Sequence, residues 1–415
     1  MRIAIIGSGI SGLTCAYLLS RRHEVTVFEA ADWIGGHTHT VDIQWHGQRY
    51  AVDTGFIVFN DWTYPNFIRL LDRLGVVSRP TPMSFSVNDP DSGLEYNGNN
   101  LDTLFAQRGN LLSPGFWGML RDIVHFNRQA VADLDGHRIE PGMSLGDYLH
   151  ARNYGQRFIH HYIVPMGSAI WSVSRADMLR FPLHFFVRFF RNHGLLSISQ
   201  RPQWRVIEGG SRSYVEPLCR TFVERIRLNC PVVSVRRDDT GVVITSAAGQ
   251  ERFDKVVFAC HSDQALALLE QPTTSEHEVL GALDYATNEV LLHTDTRLLP
   301  SRRKAWACWN YRLGGAAHAP AAVTYNMNIL QGLDAPVTFC VSLNQGDCVD
   351  PSRVLARFSY AHPQYSLAGM AAQARQGELQ GNRHSYFCGA YWANGFHEDG
   401  VVSALDVAQR FGERL

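Results

Sequence analysis

Three glycines among the first twelve residues constrain the fold more than any other feature of this sequence. They follow an apolar run at 2–6 and precede a stretch with helical spacing at 10–20, as in a strand–turn–helix unit. A second apolar run at 24–28 completes a β-α-β unit. This G-x-G-x-x-G spacing is typical of turns that bind a dinucleotide pyrophosphate at a helix N-terminus. The residues that we predict to bind the dinucleotide here are Gly7, Gly9, Ile10, Ser11, Gly12 and Glu29.

The charge balance and the absence of certain motifs exclude several classes of function. The 415 residues include 38 Lys+Arg and 39 Asp+Glu, so the basic excess of nucleic-acid-binding proteins is missing and we expect no nucleic-acid partner. The carboxylate of Glu29 would accept ribose hydroxyls but repel a 2′-phosphate, which disfavours NADP. A disulfide reductase is also disfavoured, because the chain has no second glycine fingerprint and no C-x-x-C pair.

The start of the chain and its cysteines indicate a cellular compartment. The strand pattern begins at the second residue, and no apolar run approaches the about 20 residues of a membrane-spanning helix. Several of the eight cysteines lie within apolar runs, as free thiols do in a reducing compartment. We therefore expect a cytoplasmic protein that contacts the inner membrane surface at most.

The residues that follow Glu29 resemble a known family. Glu-x5-Gly-Gly, with Gly35 and Gly36, is similar to the motif of the flavin amine oxidase and carotenoid desaturase superfamily, in which an arginine usually follows. Here His37 takes that position near the FAD pyrophosphate, where a neutral imidazole can still donate one hydrogen bond. Metal binding by His37 and His39 is the alternative, but no further ligand cluster accompanies them. The resemblance implies FAD as the cofactor.

Further blocks match the superfamily in order, from residue 3 to about residue 411. Residues 53–55 resemble a segment close to the flavin ring, and a valine within 232–235 corresponds to one whose backbone contacts adenine. Residues 387–404 resemble the last FAD motif, in which a helix N-terminus faces the flavin. The resemblance assigns FAD binding to Gly35, Gly36, His37, Thr54, Gly55, Val232, Val233, Gly389, Asp399, Gly400 and Val401.

The order of these patterns predicts an α/β fold whose first domain is assembled from separated segments. Patterns of the β-α-β type occur towards both ends, whereas 80–200 is rich in aromatic residues and helical periodicity. We predict a Rossmann-like FAD-binding domain formed by 1–80, 205–270 and 380–415. We predict that 81–204 and 271–379 form an α+β substrate-binding domain with a mixed sheet and a helical cap.

The catalytic residues are less clear from the sequence, since the flavin itself carries the redox chemistry. Amine oxidases of the superfamily hold a water near the flavin with a lysine, and Asn288 stands where that lysine is expected. The only lysines, Lys255 and Lys304, lie elsewhere in the sequence. Asn288 and Glu398 are therefore the candidate catalytic residues. Glu398 would be a general base beside the flavin, and capping of the final helix is its alternative role.

Several aromatic and basic residues bear on the substrate. Residues 181–191 carry five phenylalanines and predict an acyl tunnel, a membrane-interface helix or a buried helix of the cap, of which the last is commonest. The histidines at 160–161 and 362 lack metal-like partners and are predicted to be structural. Candidates to pair with a fatty carboxylate or a phosphate are Arg201, Arg205 and Arg212.

The motifs at 37–40, 53–60, 325–331 and 396–400 resemble a bacterial subgroup associated with fatty-acid modification, beside cyclopropane-type methyltransferases. This resemblance implies an FAD-dependent oxidoreductase that takes a hydride from an unsaturated fatty acyl chain or related lipid, as a desaturase or an isomerase. The alternatives are a flavin amine oxidase acting on a small amine, and a flavin-binding accessory subunit that works with a partner methyltransferase. We expect non-covalent FAD, a lipid or other apolar small-molecule substrate, and peripheral membrane contact.

Overall fold

A parallel sheet of five strands forms the first layer of the structure, a computed structural model that describes residues 1–415. The apolar residues of its central strand are buried, because helices at 10–19 and 397–410 pack on one face of the sheet and an antiparallel sheet at 232–253 packs on the other. The order across the sheet is 10-2-1-14-20. Its strands are β1 (Arg2–Ile6), β2 (Glu24–Phe28), β10 (Ile226–Arg227), β14 (Lys255–Phe258) and β20 (Ser385–Phe387).

A seven-stranded mixed sheet forms the second layer, in the order 19-15-18-17-16-7-8. The hairpin at its edge comes from 81–204, which we assigned with 271–379 to a substrate-binding domain with a mixed sheet, although the helical periodicity of 80–200 did not indicate these two strands. The strand pairing there depends on the distant segment 309–312, which pairs in parallel with the hairpin. The strands are β7 (Phe85–Asp89), β8 (Leu94–Asn97), β15 (Asp284–His293), β16 (Trp309–Arg312), β17 (Val323–Asn326), β18 (Cys340–Leu343) and β19 (Val354–Gln364).

Three small sheets complete the strand content. Two of them, 3-4 and 11-12-13, are antiparallel hairpin sheets, and in the third the strands at 58–60 and 78–80 both pair with the distant segment 204–207. Their strands are β3 (Thr40–Trp45), β4 (Gln48–Asp53), β5 (Val58–Asn60), β6 (Ser78–Pro80), β9 (Trp204–Ile207), β11 (Val232–Asp238), β12 (Gly241–Ser246) and β13 (Gly249–Phe253).

Seven of the fifteen α-helices form a cap built from residues 101–192, and a π-helical turn at Ile159–Ile163 interrupts this cap. None of the helices combines the length and the apolar character that crossing a bilayer requires. They are α1 (Ile10–Leu19), α2 (Pro65–Leu74), α3 (Leu101–Leu104), α4 (Pro114–Asp135), α5 (Leu145–Ala151), α6 (Gln156–Phe158), α7 (Val164–Trp171), α8 (Arg175–Arg180), α9 (Leu183–Asn192), α10 (Val215–Cys219), α11 (Ser262–Leu268), α12 (Thr274–Leu280), α13 (Met327–Leu330), α14 (Leu367–Ala374) and α15 (His397–Arg410).

The predicted fold class is confirmed: a parallel sheet with helices is joined to a mixed sheet under a helical cap. The strands of the parallel sheet come from 2–28, 226–258 and 385–387, which lie far apart in the chain. The domain boundaries themselves stay a prediction. The sequence pattern at 401–411 predicts a final helix over those residues, but α15 begins four residues earlier, at His397. This earlier start places two acidic residues in the first turn of the helix.

Candidate functional site

A cavity of about 820 Å³ opens at the carboxyl ends of β1, β2 and β14, between the parallel sheet and the mixed sheet. Of its 58 lining residues, 34 are hydrophobic. Ligands of open parallel sheets bind beyond the carboxyl ends of the strands, so this cavity is the candidate site.

The glycine turn forms one wall of the cavity. Gly7 has a φ of +105°, and a Cβ there would lie 2.8 Å from the Ala259 carbonyl oxygen of the neighbouring strand. A Cβ on Gly12 would overlap the Gly7 carbonyl oxygen, so the turn closes only with glycine at this position. By contrast, nothing lies within 4 Å of a Cβ built on Gly9, which faces the cavity together with Ile10 and Ser11. The backbone is therefore open at the point where a pyrophosphate would approach it.

The carboxylate of Glu29 is fixed at the edge of this wall. Its Oε2 accepts hydrogen bonds from the backbone N–H and the hydroxyl of Ser8, at 2.9 and 2.6 Å. Its Oε1 accepts from the backbone N–H of Ala31 at 2.9 Å. Because Glu29 also lines the cavity, the oriented carboxylate retains lone pairs for ribose hydroxyls.

The Gly-Gly turn packs directly onto the glycine wall. Gly36 has a φ of +57°, and a Cβ there would lie 3.1 Å from the Cα of Gly9. His37 follows on the cavity surface, and its Nε2 atom is buried without a hydrogen-bond partner in the protein. Burial lowers the pKa of His37 to about 4, so the ring is neutral where the superfamily usually has an arginine. A group bound in the cavity is left to satisfy this ring nitrogen.

Thr54 and Gly55, which follow β4, continue the wall. Asp53, the last residue of β4, is turned away from the cavity. A Cβ on Gly55 would overlap the carbonyl oxygen of His37. Asp53 does not line the cavity: its carboxylate accepts from the Thr40 hydroxyl at 2.6 Å and from the Ser211 backbone N–H at 2.9 Å. Burial without a paired cation raises the pKa of Asp53 to about 6.

The predicted adenine-side valines separate in the structure. Val232 lines the cavity, whereas the side chain of Val233 is 65% exposed on the other face of β11 and does not reach it. Adjacent residues of a strand point to opposite faces, so only one of the two can face the ligand. The side chain of Val233 therefore faces away from the cavity, and a contact of its backbone with adenine stays a prediction.

The residues of the last predicted FAD motif, at 387–404, also differ in whether they line the cavity. Gly389 lines the cavity, but Asp399, Gly400 and Val401 do not. Asp399 accepts from the backbone N–H of Phe396 at 2.9 Å and caps α15, and its burial raises its pKa to about 6. A Cβ on Gly400 would lie 2.8 Å from Cγ2 of Ile10, so this glycine lets α15 pack closely on α1. These residues support the cofactor wall from behind.

Glu398 is not a base in the cavity. Its Oε1 accepts from the side-chain amide of Asn66 at 2.7 Å, and its Oε2 accepts from the backbone N–H of Phe67 at 2.8 Å. Both partners lie in the first turn of α2, where free N–H groups need acceptors. The proposed catalytic role is wrong because α15 begins four residues early and turns this carboxylate toward α2.

Asn288 is likewise placed behind the cavity wall. It is buried and does not line the cavity. Its Oδ1 accepts from Asn344 at 2.7 Å, while its Nδ2 donates to Nδ1 of His362 at 2.9 Å. His362 lines the cavity. Because its Nδ1 accepts a hydrogen bond, the proton of the neutral imidazole is on Nε2. The cavity-facing group is therefore His362, which we had predicted to be structural.

His37 and His362 belong to a group of four histidines on the cavity wall. The ring centroids of these two lie 5.5 Å apart. Burial lowers the pKa of His362 to about 3, that of His261 to about 4, and that of His397 well below its usual range. All four rings are neutral near pH 7, so they provide hydrogen bonds without charge.

We call the lining residues between Met83 and Trp204 the substrate end of the cavity. This end includes no carboxylate and no lysine, and Arg201 is its single charged side chain. Arg201 uses its Nε to donate to the Ser197 carbonyl at 2.9 Å, which leaves its terminal nitrogens free. The apolar surface of this end is formed chiefly by Met83, Tyr96, Tyr162, Met166, Ile170 and Phe189.

The phenylalanine-rich segment folds mainly as a buried helix. In α9, Phe185, Phe186 and Phe190 are buried around Trp171, and only Phe189 of the five reaches the cavity. The tunnel interpretation is thus wrong for most of the segment, because the helix presents its aromatic face to the cap. The other two candidate arginines have structural partners: Arg205 donates to Ser78, and Arg212 pairs with Asp42.

The cysteines nearest the site are unreactive thiols. The sulfur of Cys388 lies 3.9 Å from that of Cys15 in the core and does not line the cavity. Cys260 does line it, but burial raises the pKa of its thiol to about 12. A thiol of this kind favours non-covalent retention of the flavin, as predicted.

Sequence reasoning missed the aromatic and histidine wall on β19. Phe358, Tyr360 and His362 alternate along this strand, which is the period-2 pattern of one face. The hydroxyl of Tyr360 forms one hydrogen bond with Nδ1 of His39, at 2.8 Å, and another with the hydroxyl of Thr54, at 2.9 Å. The alternation was a usable signal, but it does not indicate which face meets the cavity.

The open glycine turn, the fixed Glu29 carboxylate and the unpaired His37 nitrogen together fit FAD. The comparisons with known proteins agree. The model of the family "Flavin containing amine oxidoreductase" matches residues 10–315. A protein named as a flavin-containing monoamine oxidase, AofH, from Mycobacterium tuberculosis is 24% identical over 295 residues, which are 67% of this chain and 61% of that protein. The chain thus spans about three fifths of the length of this relative.

Solved structures show the same fold at low identity. A protein named as a protoporphyrinogen oxidase from Exiguobacterium aligns with a TM-score of 0.69 at 18% identity, over 99% of this chain and 98% of that one. A CLA-producing fatty acid isomerase from P. acnes aligns with a TM-score of 0.70 at 16% identity, over the same shares. With three quarters of its length matched by the family model, this chain belongs to the flavin containing amine oxidoreductases, a family of FAD-dependent oxidoreductases, and its cofactor is FAD.

Proposed function

We propose that this FAD-dependent oxidoreductase acts on an unsaturated fatty acyl chain or a related lipid. The observation that carries the proposal is the chemistry of the substrate end, which combines an apolar surface with one cation, Arg201, and no anion. A fatty acid has the complementary pattern of a long apolar chain and one carboxylate. A protonated amine would meet neither a carboxylate nor any other anionic group there.

The apolar wall supplies most of the binding energy in this proposal. Each CH₂ group that it removes from water contributes about 0.8 kcal/mol, or about a fourfold gain in affinity. The guanidinium of Arg201, whose terminal nitrogens are free, binds the carboxylate and sets the depth to which the chain enters. Neutral His362 directs its Nε2–H into the cavity and can orient a water or a polar group.

FAD, when bound, supplies an acceptor for a hydride from an allylic carbon of the substrate. In desaturation the substrate then loses a proton. In isomerisation the hydride returns to another carbon of the substrate. Desaturation needs a proton acceptor. The histidines of the wall are poor acceptors, since burial lowers the pKa of His362 to about 3 and that of His37 to about 4. Isomerisation needs no net proton transfer and is therefore the favoured version.

An anaerobic assay of the holoprotein tests the proposal. We expect a diunsaturated fatty acid either to bleach the flavin or to be converted to an isomer that gas chromatography resolves. The saturated acid of the same length is the matched control, which binds but does not react. Bleaching by benzylamine or a polyamine, with no reaction of the fatty acids, contradicts the proposal.

A flavin amine oxidase acting on a small amine is the second candidate. It is supported by the family match and by the likeness to the protein named as a monoamine oxidase. The absence of a lysine and of a carboxylate from the substrate end argues against it. Hydrogen peroxide release with amines would establish it.

The third candidate is a flavin-binding accessory subunit that works with a partner methyltransferase. Its supporting feature is the resemblance of motifs such as 396–400 to a subgroup associated with fatty-acid modification. A flavin that neither lipids nor amines reduce, combined with co-purification of a methyltransferase, would favour this candidate over both enzymes.

A further inference from the structure

One short segment of the cap carries a third of the exposed large apolar side chains of the protein. Twelve such residues are exposed over the whole chain, and four of them lie between residues 101 and 117. Leu112 is 88% exposed, Leu101 75%, Trp117 50% and Leu111 46%. We call these four residues the apolar patch of the cap.

The patch is a single surface and not a set of separate residues. The indole N–H of Trp117 donates to the Leu111 carbonyl at 3.0 Å, which fixes the 3₁₀ helix Arg108–Leu112 against α4. The ring of Phe105 lies 5.5 Å from that of Trp117, and the backbone N–H of Phe105 donates to the Leu101 carbonyl. These contacts join the segments that carry the four exposed side chains.

Cations outnumber anions beside the patch. Arg108 and Lys304 both pair with Asp102, so two cations there meet one anion. Arg157 donates to the hydroxyl of Ser113, next to Leu112, and carries no carboxylate partner. The combination of exposed leucines, an interfacial tryptophan and excess cations is complementary to an anionic bilayer surface.

The patch also lies close to the substrate end of the cavity. Trp117 contacts Phe105, whose ring lies 5.6 Å from that of Phe116. Phe116 in turn packs edge-on against Tyr96, at 5.8 Å, and Tyr96 lines the cavity. Only one or two layers of side chains separate the outer surface from the site.

We propose that the apolar patch of the cap docks the protein on an anionic membrane surface, with Leu111, Leu112 and Trp117 inserted at the headgroup boundary. The docking is independent of the substrate, because it depends on the surface of the cap alone. The protein is a peripheral one in this proposal and binds the bilayer reversibly. Binding weakens as salt screens the cations.

Co-sedimentation of the holoprotein with vesicles tests this proposal. We expect binding to vesicles of equal parts phosphatidylcholine and phosphatidylglycerol, and much less to phosphatidylcholine alone. Leu112→Asp, at a position without core contacts, should lower the partition coefficient by about tenfold or more. Val223→Asp is the matched control, since Val223 is 48% exposed beside the parallel sheet and outside the patch.

Three results would overturn the proposal. The holoprotein could fail to sediment with either vesicle, or Leu112→Asp could bind as well as the unchanged protein. The third is a dimer by light scattering that Leu112→Asp converts to a monomer, without vesicle binding, since a second copy of the chain would then cover the patch. Retention of FAD by Leu112→Asp verifies that the variant is folded.

Discussion

The two ends of the cavity are built on different principles. The cofactor end consists of glycines and backbone, and a single added Cβ meets a neighbouring main chain at Gly7 or Gly12. The substrate end consists of side chains from the hairpin at 85–97 and the residues beside it, from the helical cap, and from the segment after the cap, which carries the single charge, Arg201. The cofactor end therefore depends on backbone geometry, and the substrate end on which side chains face inward. Substitutions should affect the two ends differently.

The largest effect is expected at the glycine turn. Gly12→Ala places a Cβ onto the Gly7 carbonyl oxygen, so we expect a loss of about 3 kcal/mol of stability and no retained FAD. Gly9→Ala is the matched control, because nothing lies within 4 Å of its Cβ in the protein. This control should fold normally and still bind FAD weakly, since its methyl group occupies the space of the ligand. Thermal unfolding and flavin content measure the two effects, and equal stability of both variants would contradict the comparison.

The next effect is expected at Glu29. Glu29→Ala removes a carboxylate that lines the cavity and accepts from Ser8 and Ala31. We expect FAD affinity to fall by about 1.5–3 kcal/mol, as for a charge-assisted hydrogen bond. Glu24→Ala, on the same strand but exposed at its start, should retain the cofactor. Titration of the apoproteins with FAD measures the difference, and an unchanged affinity of Glu29→Ala would rule out ribose binding.

A smaller effect concerns Asp53, whose carboxylate accepts hydrogen bonds from Thr40, Ser211 and Gln331. Its folded pKa, about 6, lies above the unfolded value, so the folded state holds a proton that the unfolded state releases. This protonation should therefore make the free energy of unfolding fall by about 1 kcal/mol as pH rises from 5 to 7. Asp53→Asn should lack this component in denaturant titrations at the two pH values.

Asp133 provides the control for this pH dependence. Hydrogen bonds from Arg138 and Tyr148 lower its pKa against the opposing effect of burial, so it is ionised in both states between pH 5 and 7. Asp133→Asn should be destabilised equally across that range. If Asp53→Asn shows the same pH profile as the unchanged protein, the assignment of the proton to Asp53 is wrong.

The smallest effect is expected at Arg201, in the substrate end. Arg201→Gln should raise the KM for a fatty acid by about tenfold, which is the lower limit for a lost charge-assisted contact at an exposed position. The methyl ester of the same acid should be insensitive to the substitution. Arg205→Gln is the matched control, because Arg205 bonds to Ser78 and does not line the cavity. Flavin content should be unchanged in both variants, which separates this end from the cofactor end.

Much of the cofactor end could be predicted from the sequence. The glycines at 7–12, Glu29 and the Gly-Gly turn lie within about thirty residues, and their roles depend on local backbone geometry. The strands at 2–6 and 24–28 follow from buried apolar runs in the same way. For residues far in the sequence from this N-terminal segment, the predictions of which residues line the cavity were less accurate. Val233 faces away from the cavity, and Asp399, Gly400 and Val401 lie behind the wall.

What the sequence alone determined is the family, the cofactor and the glycine turn, since each is encoded in short contiguous motifs. The tertiary structure decided which side chains face the cavity. Asn288 lies behind His362 because β15 and β19 pair in one register, and Glu398 binds α2 because α15 begins early. The substrate end joins the hairpin at 85–97 to the cap and to distant strands. Local motifs specify backbone conformation, but the inward face of a distant element depends on long-range pairing and packing, which no short segment contains.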